Sequence, residues 1–187
     1  SDGAPNRVEL FAFEDEASLA QLLIPEADPK VILRSTQRNT SEHPVLAGPV
    51  ELQRHGGTVG WSQALFIAPG ETFDLGFGPV DEVRVQRERH LIDEEVVRTT
   101  QWVERTYRVS VYISNLSDTT HALTLTERVP VSELEEVQVR IDEARTREGW
   151  SRDDDGFVRW ELEVAPASRE VVQLVWTLAH APDVEGI

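Results

Sequence analysis

The segment Ser151–Val164, SRDDDGFVRWELEV, places three aspartates and a glycine before alternating apolar residues. It could bind calcium, since an EF-hand loop uses ligands at positions one, three and five, glycine at six and glutamate at twelve. Counted from the first residue, Asp153, Asp155 and Gly156 fit this pattern. Position twelve is Leu162, so the bidentate ligand is missing. The segment therefore predicts an Asp-Gly hairpin turn, with a weak metal site as the alternative.

Other reactive side chains form no recognisable catalytic motif. Cysteine is absent, which excludes disulfides, thiolate zinc sites and cysteine nucleophiles. No G-x-S-x-G nucleophile elbow occurs, and no two histidines stand at metal-binding spacing. We expect surface or turn positions for the histidines, which are His43, His55, His90, His121 and His180. The sequence therefore predicts no catalytic, cofactor-binding or metal-binding residue.

Two further chemistries stay open as alternatives. With 34 acidic residues, two carboxylates could meet in one cleft and serve a hydrolase of the glycosidase type. The five tryptophans could also include a sugar-stacking platform. Trp102 and Trp150 lie near predicted strand ends, where exposure would suit that role. Trp160 and Trp176 are in phase with inward aliphatic residues, which predicts core positions.

Charge and hydropathy narrow the classes of partner. The 187-residue chain has a formal net charge of −16, which repels nucleic acid and anionic lipid. A partner that binds this surface should be basic or neutral. No apolar run approaches the ~20 residues that span a bilayer. We therefore predict no nucleic-acid binding and no membrane insertion.

Period-two alternation of apolar residues dominates the chain and predicts half-buried strands. TYRVSVYISN places Val109 and Val111 on one face, and FVRWELEV does the same for Val158 and Trp160. Turn residues separate the strands at HGGT, APGE and NLSD. One segment, EDEASLAQLLIPE, is instead typical of a two-turn helix ended by Pro25.

The predicted fold class is all-β, with an antiparallel, sandwich-like architecture of two consecutive or fused β-sandwich units. A long charged hairpin over residues 83–115 joins them. The chain is expected to cross from its first strand to its second near the acidic residues Asp93–Glu95. Residues 1–92 form an N-terminal β-rich unit, 93–180 a C-terminal Ig-like unit and 181–187 a flexible tail. One integrated domain is the alternative. We detect no internal repeat in the sequence.

Several segments together resemble a known family. NTSEHPVLAGPVELQRHGGTVGW precedes IAPGETFDLGFGPVDEVRVQRER, and YRVSVYISNLSD, ERVPVSELEEVQVRI and DDDGFVRWELEVAP follow. In this order they resemble the C-terminal domain of the mucoidy inhibitor A family, a domain of unknown function. The resemblance covers residues 7–178 and implies a β-rich piece of a larger bacterial protein. It implies no catalytic residue, and the family name points to envelope or exopolysaccharide biology.

The expected function is that of a non-enzymatic interaction or scaffolding domain within a larger, mucoidy-inhibitor-like protein. The first alternative is a carbohydrate-binding module in envelope or exopolysaccharide biology, and the second is a carboxylate-dependent hydrolase. A protein partner, self-association and polysaccharide are the open partners, and no cofactor is expected. The sequence leaves the compartment open between cytoplasm and cell envelope.

Overall fold

The computed structural model describes residues 8–184, which form eleven β-strands and no helix. The strands are β1 (Ser18–Ile24), β2 (Asp28–Arg38), β3 (Gly48–Arg54), β4 (Gly57–Ala64), β5 (Thr72–Val96), β6 (Val103–Asn115), β7 (His121–Arg128), β8 (Val137–Ile141), β9 (Trp150–Arg152), β10 (Phe157–Val164) and β11 (Arg169–His180). Nine strands form one sheet in the order β8-β11-β6-β5-β2-β1-β7-β10-β9, and β3 pairs with β4 in a second sheet. The prediction of an all-β fold is confirmed.

The chain folds as two compact units whose segments interleave. The described part of the first unit holds residues 8–20 and 33–78, and that of the second holds 21–32 and 79–184. The prediction had instead placed two units one after the other in the sequence, residues 1–92 and 93–180. At the predicted tail, Ala181 is buried and its N–H donates to the Glu136 carbonyl. Residues 185–187 lie outside the described part.

The large sheet is mixed rather than purely antiparallel, because β1 pairs with β7 in parallel. This pairing also corrects the predicted helix at EDEASLAQLLIPE. Leu23 lies beside Leu125 in the parallel register, and both side chains are fully buried. A sheet neighbour about 100 residues away in the sequence thus outweighs the local preference for a helix.

The core of the second unit follows the predicted alternation. Val109, Val111, Trp160 and Trp176 are each no more than 2% exposed. The long hairpin is confirmed, since β5 pairs with β6 from Val83 opposite Asn115 to Val96 opposite Val103. The turn of the hairpin lies at residues 97–102. Asp93–Glu95, which were expected where the chain crosses between the two strands, therefore belong to strand β5.

Turn residues occupy the conformations that their types favour. In the first unit, His55 and Gly56 both have positive φ between β3 and β4, as a two-residue hairpin turn requires. In the second unit, the Gly156 N–H donates to the Asp153 carbonyl at 3.1 Å, and Gly156 has φ +83°. The predicted hairpin turn between β9 and β10 is therefore confirmed.

Gly156 is required by contact as well as by conformation. A Cβ at this position would overlap the carbonyl oxygen of Val129 and stand 3.0 Å from a methyl group of Val131. Gly149 has nearly the same φ, +82°, but a Cβ there would meet no atom within 4 Å. Comparing alanine substitutions at the two glycines therefore separates the free-energy cost of positive φ from that of a steric clash.

We expect Gly156→Ala to destabilise the fold by clearly more than the roughly 1–2 kcal/mol that positive φ alone costs. Gly149→Ala is the matched control and should show only that conformational cost. Urea unfolding of both variants measures the difference. Equal losses in the two variants would contradict the close packing of Gly156 against Val129.

Two buried asparagines, each located at the end of a strand, form the same set of hydrogen bonds. In the first unit, Asn39 Nδ2 donates to the carbonyls of His43, Ile67 and Ala68 at 2.8, 3.4 and 3.3 Å. Its Oδ1 accepts from the backbone N–H and the hydroxyl of Ser41. Asn39 is 0% exposed, so these bonds satisfy its amide inside the protein.

Asn115 repeats this arrangement in the second unit. Its Nδ2 donates to the carbonyls of Thr119, Val164 and Ala165 at 2.7, 3.1 and 2.9 Å, and its Oδ1 accepts from Ser117. The matching segments are NTSEH with IAP and NLSDT with VAP. The structure thus reveals a local repeat where the sequence analysis detected none.

Candidate functional site

One face of β5 changes from apolar to basic along the strand. Val83 is buried, and Arg87 and Arg89 continue in the same phase. Arg87 lies opposite Val111 of β6, and Arg89 lies opposite Val109. Opposite residues of an antiparallel pair share a face of the sheet. Both arginines therefore lie on the side of the sheet that carries buried valines.

These arginines line a cavity of about 210 Å³ in the second unit, which we call the arginine cavity. Strands β5, β6 and β11, the end of β7 and the turn after β1 contribute to it. Its defining residues are Glu26, Arg87, Arg89, Val109, Arg128 and Trp176. The walls thus combine apolar side chains with three guanidinium groups and one carboxylate.

Arg87 is held by a buried ion pair. Its Nε and Nη2 donate to the two carboxylate oxygens of Glu127, each at 2.9 Å. The side chain of Glu127 is 1% exposed and that of Arg87 is 19% exposed. Burial raises the pKa of Glu127, and the hydrogen bond from Arg87 opposes that rise. The same bond raises the pKa of Arg87, which stays charged.

Arg89 is positioned by aromatic rings instead of a carboxylate. Its guanidinium carbon lies 4.6 Å from the ring centre of Tyr107 and 5.4 Å from that of Trp176. The two rings stack on each other with centres 4.6 Å apart. Stacking orients a guanidinium group by its face and leaves the N–H groups on its edge able to bind an anion.

Arg128 is the third basic group of the cavity. Its guanidinium carbon lies 5.4 Å from the ring centre of Phe157. Within residues 8–184, neither Arg128 nor Arg89 forms a salt bridge. Both side chains are exposed, so their charges are available to a ligand.

The indole of Trp176 lies beside the cavity with its N–H enclosed by the protein. Trp176 is 2% exposed and lines the cavity, yet its Nε1 has no hydrogen-bond partner in the described part of the chain. A buried N–H without a partner is costly, because it loses water without gaining a protein acceptor.

The charges of the site favour an anion. Three guanidinium groups stand against the carboxylates of Glu26 and Glu127, which leaves the site one positive charge. The chain as a whole carries −16. A cavity of opposite sign on an acidic protein focuses the local field on a ligand of the right shape. The arrangement can therefore hold a carboxylate or a similar compact anion.

The histidines do not join this site. His121 is buried, with Nδ1 2.9 Å from Gln21 Oε1 and Nε2 3.1 Å from Ser117 Oγ. His180 is buried as well. The expectation of surface or turn positions is thus wrong for these two. Within residues 8–184, no group of three or more acidic or histidine side chains could hold a metal ion.

The tryptophans considered for sugar stacking are half-buried. Trp150 lies opposite the buried Trp160 in the ladder between β9 and β10. Trp102 follows the turn of the β5–β6 hairpin, and its carbonyl accepts from the Val97 N–H. The exposed tryptophan is Trp61 of β4, at 67%. The predictions of core positions for Trp160 and Trp176 are confirmed.

Sequence reasoning missed the arginine cavity although one signal was present. In VRVQRER, Arg87 and Arg89 fall at the positions where alternation demands inward residues. A charged residue in an inward phase indicates a buried partner or a binding site. The partner of Arg87, residue Glu127, is separated from it by 40 positions, so the sequence alone does not identify it.

Comparison with known proteins gives one match. A family model described as Domain of unknown function (DUF4139) matches residues 2–182, nearly the whole chain. No curated protein and no solved structure matches the chain. Within residues 8–184, the structure has no helix long and apolar enough to cross a membrane.

Proposed function

Because the chain belongs to the DUF4139 family, whose description names no activity, we propose its function from the site itself. The domain is a non-enzymatic binding module that holds a carboxylate of its partner in the arginine cavity. Following the resemblance to the mucoidy inhibitor A family, it serves as the interaction domain of a larger protein. The observation that carries the proposal is the pair Arg89 and Arg128, which line one cavity and form no salt bridge within residues 8–184.

Three features of the cavity support an anionic ligand. Arg89 is oriented by Tyr107 and Trp176, so little side-chain freedom is lost when it binds. Arg128 is exposed and forms no salt bridge within residues 8–184, so its charge is available as well. A carboxylate has acceptor oxygens for both guanidinium groups and matches their planar geometry. The acidic surface outside the cavity still favours basic or neutral contacts.

The proposal is tested by calorimetric titration of the domain with glutarate, a small dicarboxylate. We expect binding that weakens about tenfold or more in Arg89→Gln and in Arg128→Gln, since each removes a charge-assisted hydrogen bond. Arg84→Gln is the matched control, because Arg84 is an exposed arginine of the same strand in the opposite phase. Equal affinity in all four proteins would overturn the proposal.

The rival enzymatic function has its own test. The intact domain is incubated with ester, phosphate and glycoside substrates, and product is measured over time. We expect no turnover above that of buffer. Turnover that disappears in a single carboxylate or histidine variant would defeat the binding-module proposal, whatever ligands the cavity also takes.

A further inference from the structure

The arginine cavity is also lined by an acidic residue, Glu26. Glu26 lies in the turn between β1 and β2, where the Ala27 N–H donates to the Ile24 carbonyl at 3.0 Å. Pro25 directly precedes Glu26 and is buried, while Glu26 is exposed. Proline fixes one backbone dihedral and suits this position of a turn. The turn therefore holds in place the backbone that carries the Glu26 carboxylate.

Glu26 is not neutralised by the arginines around it. Within residues 8–184 it forms no salt bridge, although three guanidinium groups line the same cavity. Its charge nevertheless acts on the buried ion pair. The hydrogen bond with Glu127 raises the pKa of Arg87 most, and the charge of Glu26 adds to that rise. Glu26 is thus near enough to act electrostatically on the groups of the cavity.

The cavity therefore holds separate charges of both signs. Arg87 is neutralised by Glu127, which leaves Arg89 and Arg128 as cations and Glu26 as an anion. A single carboxylate in the ligand pairs with the two arginines and leaves Glu26 without a counter-ion. An ammonium group on the same ligand supplies that counter-ion. Since the cavity measures about 210 Å³, the two ligand groups stand only a few atoms apart.

The net charge of the chain gives independent support for such a ligand. The chain carries −16, so a ligand of net negative charge is repelled as it approaches. A ligand with one carboxylate and one ammonium group has no net charge and avoids this repulsion. It also satisfies the expectation that a partner of this acidic surface is basic or neutral.

We propose that the ligand group held in the arginine cavity is a zwitterion, with its carboxylate on Arg89 and Arg128 and its ammonium group on Glu26. The inference rests on the proposed function for the carboxylate and goes beyond it by naming the ammonium group. Glu26 then selects among carboxylates, because it attracts a ligand with an amine and repels one with a second carboxylate.

The test compares three ligands that share a carboxylate and a chain of three methylene groups and differ at the other end. The ligand 4-aminobutanoate ends in an ammonium group, pentanoate in a methyl group and glutarate in a second carboxylate. We expect calorimetric titration to show that 4-aminobutanoate binds about tenfold or more tightly than pentanoate. Glu26→Gln should remove this preference and should not weaken glutarate. Glu163→Gln should keep it, because Glu163 is an exposed glutamate of β10 outside the cavity lining.

The same pair of charges can come from a free amino acid or from neighbouring acidic and lysine side chains of a partner protein. Glutamyl-lysine with blocked termini carries only the side-chain charges and is titrated in the same way. Following the proposed function, we expect it to bind and to lose about tenfold in affinity in Glu26→Gln. Binding of 4-aminobutanoate without binding of this dipeptide would overturn the protein source and assign the site to a free amino acid.

The outcomes also separate this inference from the proposed function. Equal affinity of the wild type for 4-aminobutanoate and pentanoate would overturn the zwitterion and leave the carboxylate site intact. A preference that survives in Glu26→Gln would overturn the role of Glu26. Arg128→Gln should weaken all three ligands, since each places its carboxylate on that residue. If none of the three binds to the wild type, the proposed function itself fails.

Discussion

An Arg87→Leu variant is expected to lose about 3–5 kcal/mol of unfolding free energy. The substitution leaves the carboxylate of Glu127, whose side chain is 1% exposed, without its bidentate partner. An isolated charge in that position has lost its hydration and gained nothing in exchange. Urea unfolding at neutral pH measures the loss.

The same ion pair predicts a rescue. Arg87→Leu combined with Glu127→Leu should recover most of the loss, because two apolar side chains replace two buried charges. Arg140→Leu is the control, since Arg140 forms a surface ion pair with Glu104 and is 60% exposed, and it should cost less than about 1 kcal/mol. Additive losses in the double variant would show that the two side chains do not form a coupled buried pair.

The destabilisation of Arg87→Leu should also depend on pH. Burial already raises the pKa of Glu127, and the variant removes the hydrogen bond that lowers it. Below the unfolded-state pKa of about 4.3, both states hold the proton and the carboxyl contributes no difference. As pH rises above that value, the unfolded state releases its proton before the folded state does, so stability falls. Because the pKa of Glu127 is raised in the wild type as well, the deficit relative to the wild type should grow as pH rises from the wild-type pKa of Glu127 towards the higher pKa of the variant.

Trp160→Ala is the second substitution with a large expected effect, about 3–5 kcal/mol. Trp160 is 1% exposed, and its Nε1 donates to the carbonyl of Arg147 at 3.1 Å. Truncation leaves a cavity between β7, β9 and β10 and removes that hydrogen bond. Trp61→Ala is the matched control, because Trp61 is 67% exposed and should change stability by no more than about 0.5 kcal/mol. Similar losses for the two variants would contradict the assigned face of β10.

Much of the β-fold follows from local pattern. Alternation identified the inward faces of β6, β10 and β11, although Ser110 of β6 and Val175 of β11 are buried on the opposite face. The turns at His55 and Gly156 followed from residue types that accept positive φ. The helix expected at Leu23 failed, since the strand there is stabilised by β7, which is distant in the sequence. Local pattern carries no information about such a neighbour.

The functional site was harder to predict for the same reason. His121 was expected at the surface, but it is buried beside Gln21, which lies 100 positions away. The cavity likewise depends on Arg89, Arg128 and Trp176 meeting from three strands. Each of these residues has an ordinary interpretation in its own segment. The meeting in one cavity of two arginines that form no salt bridge within residues 8–184 is what indicates a ligand.

The indole N–H of Trp176 gives the most direct measurement of the central claim, that the arginine cavity binds a carboxylate. A ¹H–¹⁵N spectrum resolves indole signals, and Trp176→Phe assigns the signal of this residue by its disappearance. Titration with glutarate should shift the Trp176 signal, because a carboxylate bound to Arg89 changes the charge beside the indole ring. The shift should require higher glutarate concentrations in Arg128→Gln, while the signal of exposed Trp61 stays in place. A Trp176 signal that does not move at saturating glutarate would contradict the account.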